Sequence, residues 1–89
     1  MYSIEAVVTD EMGLHARPAN KFVKKASSFS SDIKVKKVGS EASYNAKSIT
    51  AVLRMSAVQN TKLIIMAEGD DEVQACEALK MLVENNYQD

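Results

Sequence analysis

The chain of 89 residues carries a single cysteine, a single proline, a single histidine, three glycines and no tryptophan. The lone cysteine, Cys76, excludes an internal disulfide and a cysteine-based zinc site. It falls in a helical apolar pattern and reads as a buried core thiol. No apolar run is long enough to cross a bilayer. The opening Met1-Tyr2-Ser3-Ile4-Glu5 lacks the charged and apolar regions of an export signal, so the expected compartment is the cytoplasm. Tyr2, Tyr44, Tyr87, Phe22 and Phe29 do not form the stacking platform of an RNA-binding sheet, and both phenylalanines read as buried. A net charge of −1 points to neither a nucleic-acid nor a membrane partner. Met12, Met55, Met66 and Met81 share no spacing and read as core filling. Neither a metal nor a cofactor is expected.

A chain this short makes one domain, 1–89, with no room for a deep interdomain cleft. Its chemistry is therefore expected at the surface, with a partner. The charges that are present are unevenly placed. Arg17, Lys21, Lys24 and Lys25 cluster early, Lys34, Lys36 and Lys37 follow, and acids dominate from Glu68 onward. A basic first half suits a phosphate or an acidic partner surface as well as a merely solvated face.

Ile4, Ala6 and Val8 alternate with Ser3, Glu5 and Thr9, the pattern of a half-buried strand. Ala19, Phe22, Val23 and Ala26 form one apolar stripe of a helix, with Pro18 in its first turn. The serine-rich stretch from Ser27 to Ser31 ends it. Ile33 and Val35 alternate with Lys34 and Lys36 as a second strand. Val38-Gly39-Ser40-Glu41 reads as a turn, and Ala42-Ser43-Tyr44 starts a third strand. Ser48 stands at the N-cap of a short helix carrying Ile49, Val52 and Leu53. Thr61 to Ala67 is the strongest strand. Gly69-Asp70-Asp71-Glu72 opens a last helix with Val73, Cys76, Leu79, Leu82 and Val83 as its buried stripe, and the segment from Asn85 to Asp89 is expected to fray. One sheet covered on one face is the economical α+β solution, with the outer lysines of the second strand on the open side.

Gly13-Leu14-His15-Ala16-Arg17-Pro18-Ala19 is the stretch that points to chemistry. It puts the sole histidine at a strand-to-helix junction, where unpaired N–H groups and the helix dipole favour an anion. A neutral imidazole is a good nucleophile toward phosphorus, and a phosphoryl group on its nitrogen is easily passed on. The Arg17 guanidinium can neutralise phosphate charge as it arrives and leaves. The N–H groups of Ala16 and Arg17 are the candidate phosphate donors. Pro18 stiffens the turn.

This heptapeptide resembles the phosphorylation-site motif of HPr, the histidine-containing phosphocarriers of the bacterial phosphoenolpyruvate-dependent sugar phosphotransferase system (PTS). The resemblance extends over the chain, including Asn45-Ala46-Lys47-Ser48-Ile49 before the short helix. It implies an HPr-like open-faced β-sandwich, βαββαβα, with an antiparallel sheet ordered 1-4-2-3. It implies that His15 takes a phosphoryl group on Nδ1 from phosphorylated Enzyme I and passes it to IIA domains of PTS permeases, with Arg17 as the active-site arginine. Such a protein is a carrier and not an autonomous enzyme. Ser48 matches the family's second phosphorylation site, the target in some bacteria of an HPr kinase/phosphorylase. The alternative function is thus a regulator acting through Ser48 on a catabolite-control transcription factor. Asn20, Lys24, Ile49, Thr50 and Leu53 are the expected docking residues for acidic partners, with Ile49 and Leu53 equally readable as core. Asn20, Thr50, Arg54 and Ser56 depart from the usual family residues, and the turn between the second and third strands looks slightly longer than usual. The chain is expected to be a monomer.

Overall fold

A computed structural model describes residues 1–9, 16–55 and 57–85. The elements run β1 (Tyr2–Val7), α1 (Ala16–Ser27), β2 (Asp32–Lys37), β3 (Tyr44–Asn45), α2 (Ile49–Met55), β4 (Lys62–Glu68) and α3 (Glu72–Glu84). The strands form one antiparallel sheet in the order β1-β4-β2-β3. This is the fold that the resemblance implied.

Alternation along the strands decides which face is covered. Ala6, Ile33, Val35, Leu63, Ile65 and Ala67 are buried, whereas Ser3, Glu5, Asp32, Lys34, Lys62 and Glu68 are exposed. Ile4, Ile65 and Val35 lie opposite one another across the three longest strands, so apolar side chains stack in a row beneath the helices. Phe22 and Ala26 of α1, Val52 and Met55 of α2, and Cys76, Leu79 and Val83 of α3 complete the core. Burying a side chain such as Leu79 contributes about 1.5–3 kcal/mol, enough for a few such residues to decide stability. The other sheet face stays open, with half-buried Ile64 and Met66 flanked by Lys34, Lys36 and Glu5.

Two details depart from the sequence reading. Val73 is 41% exposed and Met81 66% exposed, so neither belongs to the core. Ala75 is buried instead, because the side of α3 facing the sheet runs through Ala75, Cys76, Leu79, Leu82 and Val83. The third strand is only Tyr44–Asn45. Before it, the chain turns at Lys37–Ser40, where Gly39 adopts φ +88° and Ser40 N–H bonds the Lys37 carbonyl at 3.0 Å. The Ala42 N–H then goes to Ser40 Oγ at 3.3 Å and not to a strand partner. Asp71, at the N-cap of α3, makes no side-chain cap bond. Its carboxylate instead accepts the N–H groups of Ser30 (2.9 Å) and Ser31 (3.0 Å) and the Ser31 hydroxyl, tying the α1–β2 connection to the head of α3.

Candidate functional site

The helix that presents the heptapeptide is anchored by its own apolar stripe. Ala19, Phe22 and Ala26 are fully buried, and Pro18 is half-buried in the first turn, where the lack of an N–H costs no helical bond. Ala16 and Arg17 are the first two residues of α1, so the helix itself offers their N–H groups no acceptor. The first turn contains no acid, leaving the positive end of the helix dipole uncompensated by its own side chains. The Arg17 side chain is exposed. His15 precedes this turn directly in sequence. It lies outside the described residues, as do Met12, Gly13, Leu14, Ser56 and Tyr87.

Cationic side chains continue along α1. Lys21, Lys24, Lys25 and Ser28, spaced at helical intervals, line a shallow depression of about 340 Å³. The sequence showed this charge cluster, but only Lys24 was read as docking. The spacing of 21, 24, 25 and 28 is the signal that brings the other three residues to the same side.

Helices α1 and α2 pack against each other. Asn20 and Lys24 on α1, and Thr50 and Leu53 on α2, are exposed, with Leu53 at 40%. Ile49 is half-buried and packs against the core, so the two apolar docking candidates of this helix, Ile49 and Leu53, divide between interior and surface. At the head of α2, Ser48 is a working N-cap. Its carbonyl accepts the Val52 N–H at 3.0 Å and its Oγ accepts the Ala51 N–H at 3.3 Å. The approach is held by Asn45, whose Oδ1 accepts the Lys47 N–H at 2.9 Å and whose carbonyl accepts the Ser48 N–H at 3.1 Å. Lys47 Nζ donates to the Phe29 carbonyl at 2.8 Å and fixes this corner to the end of α1, a contact no local pattern reveals.

Cys76 stands apart from the site. Its thiol is buried against the Tyr2 and Ile65 carbonyls, each 3.5 Å away. Burial first, and the Glu72 charge second, push it above its ordinary value of 9.0, so it is a neutral packing group and not a nucleophile near neutrality. Among the described residues no three His, Cys, Asp or Glu side chains gather as a metal site. Among the same residues no helix is long and apolar enough to cross a membrane.

Comparison with known proteins agrees with this architecture. The family model described as the PTS HPr component phosphorylation site matches residues 2–85. The phosphocarrier protein HPr of Haemophilus influenzae is 45% identical over 83 residues, which is 93% of this chain and 95% of that protein. The crystal structure of HPr-C-His from Thermoanaerobacter tengcongensis superposes with a TM-score of 0.92 at 40% identity, covering 98% of this chain and 96% of the other. An HPr dimer from the same organism matches over 100% of both chains with a TM-score of 0.76 and 39% identity. With this sheet order, these helices and this match, the chain belongs to the HPr family of PTS phosphocarriers.

Proposed function

We propose that the chain receives a phosphoryl group from phosphorylated Enzyme I on Nδ1 of His15 and delivers it to IIA domains of sugar permeases. The observation that carries this reading is the first turn of α1, where exposed Arg17 and the Ala16 and Arg17 amides meet with no acidic residue among them. In the forward step the Nδ1 lone pair forms the N–P bond as the bond from phosphorus to the donor breaks, and the electron pair leaves with the donor. The helix amides and the Arg17 guanidinium stabilise the equatorial oxygens of the group in flight. In delivery the N–P bond breaks and its electron pair returns to the ring, which leaves His15 unchanged. The protein turns over no substrate of its own, and no metal or cofactor enters the scheme.

Partners of this kind bind transiently. One exposed cation, Lys24, and one exposed apolar side chain, Leu53, beside the polar Asn20 and Thr50 and with Ile49 behind them, suit brief contacts with several acidic surfaces. In this role the domain acts as a cytoplasmic monomer.

The deciding experiment incubates the wild type and His15→Ala with phosphoenolpyruvate and Enzyme I. The wild type takes up an acid-labile, base-stable phosphate, and His15→Ala takes up none. Arg17→Ala keeps the site and slows transfer by roughly a hundredfold, the scale on which single charge-stabilising groups act. Labelling of His15→Ala at the wild-type level would remove the assignment.

A second reading is supported by the Ser48 cap. Phosphate at a helix N-terminus is electrostatically favourable, so modification by an HPr kinase/phosphorylase would leave α2 folded while adding negative charge beside Thr50 and Leu53. That charge would disfavour an acidic Enzyme I and create a mark for a catabolite-control transcription factor. ATP-dependent, acid-stable labelling that disappears in Ser48→Ala is the expected result. No labelling of the wild type, under conditions that label a known substrate, rejects this reading.

A further inference from the structure

The sheet ends at β1. β4 lies on one side of it, and among the described residues no strand lies on the other. The hydrogen bond from Val8 N–H to the Thr61 carbonyl, 2.9 Å, fixes the alternation of the β1 backbone. Even-numbered residues of β1 bond to β4, so Ser3, Glu5 and Val7 turn their N–H and C=O groups outward. Two of these outward groups are occupied by side chains of α3. Lys80 Nζ donates to the Glu5 carbonyl at 3.2 Å, and Val7 N–H donates to Glu84 Oε2 at 3.1 Å. The two side chains pair with each other at 2.8 Å, one helical turn apart. A single ion pair thus covers one acceptor and one donor of an otherwise open strand edge.

We propose that the outer edge of β1 is a self-association surface which the Lys80–Glu84 pair holds closed. The occupant is a second copy of the chain, because an antiparallel edge is complementary to itself. About a twofold axis at Glu5, each outward N–H of one β1 meets an outward C=O of the other, Ser3 opposite Val7 and Glu5 opposite Glu5. The groups that the ion pair occupies, the Glu5 carbonyl and the Val7 N–H, are both needed for that pairing. The rest of the strand offers little other protection, since Tyr2–Val7 contains neither proline nor lysine. Facing Glu5 carboxylates keep the pairing weak, so a modest cover suffices to suppress it. With the cover removed, two sheets join through β1 into one continuous sheet.

The test compares the wild type with the Lys80→Ala, Glu84→Ala double variant by size-exclusion chromatography with light scattering over a dilution series. Far-UV circular dichroism checks that the variant is folded. The wild type is expected at the mass of one chain, 9.8 kDa, at every concentration. The double variant is expected to double its mass as concentration rises. Adding Ser3→Pro to the double variant is expected to return it to one chain. Proline there removes an outward donor and takes no bond from the β1–β4 ladder. Three results would each overturn the proposal: a folded double variant that stays at one chain throughout, a wild type that dimerises with the pair intact, or a dimer indifferent to Ser3→Pro. If the alanine variant does not fold, Lys80→Met with Glu84→Met keeps good helix formers at both positions, and the same outcomes decide.

Discussion

Two glycines with positive φ show how differently single residues carry the fold. Gly39, at φ +88°, has nothing within 4 Å of where a Cβ would stand. Gly69, at φ +154°, would place that carbon 2.5 Å from Ser31 Oγ and 2.8 Å from Ser31 Cα. Ser31 cannot yield, since its N–H and hydroxyl are both held by Asp71. Gly39→Ala therefore costs only the backbone strain, about 1 kcal/mol, while Gly69→Ala adds a clash with fixed backbone and costs about 2–3 kcal/mol or more. Urea unfolding of the two variants side by side measures the difference, and equal losses would contradict the steric account. The sequence marked Gly69 as the opening of a helix but gave no sign of Ser31 above it, 38 positions earlier. By contrast the candidate site at His15 is written in adjacent residues: Arg17 two positions on, Pro18 after it, and a helix beginning at Ala16.

At the scale of elements, α2 is the one whose existence depends most on its ends. Its seven residues are too few to be stable as an isolated helix, and two of them, Val52 and Met55, are buried. The Ser48 cap and the packing of Val52 share the work. Ser48→Ala is expected to cost about 1 kcal/mol of global stability, read by urea unfolding, and to speed hydrogen exchange at the Ala51 and Val52 amides ahead of the rest of the chain. Unchanged exchange at those amides would show that packing alone holds the helix. The N-cap, like the periodicity of β1, α1, β2 and β4, was legible because it is written in adjacent residues. What escaped the sequence reading was decided by distant contacts. Val73 reads as core at its helical spacing, yet the sheet lies against Ala75 and Cys76. Asp71 reads only as one of the acids that open α3, yet its carboxylate bonds to Ser30 and Ser31. Lys80 and Glu84 stand one helical turn apart, yet they bond to Glu5 and Val7 more than 70 positions away in sequence.

Over the whole molecule, long-range bonds to carboxylates and the burial of one thiol make stability depend on pH from both sides. Asp71 is held down from 3.8 to about 2, first by the Ser31 hydroxyl and then by the Ser30 N–H. Glu84 is also lowered from its ordinary 4.5, by Lys80 first and further by the Val7 N–H. Both groups hold a proton less tightly in the folded chain than in the unfolded one. Their contributions are complete above the ordinary carboxylate values and disappear as pH falls through the folded ones. Cys76 acts in the opposite sense. Its raised value means that the unfolded chain ionises first, so its contribution is complete below 9.0 and declines as pH rises beyond it. The urea midpoint should therefore be level through neutrality, fall steeply between pH 4 and pH 2, and fall again in alkali. Asp71→Asn isolates the acid side. Its amide keeps one acceptor for Ser31 but turns an N–H toward the Ser30 N–H, so the variant should be less stable than the wild type at pH 7. It has no carboxylate to protonate, so the two midpoint curves should converge as the pH falls toward 2, where the wild type loses the same bonds. Curves that stay parallel down to that pH would mean that Asp71 does not link the α1–β2 connection to α3 through its charge.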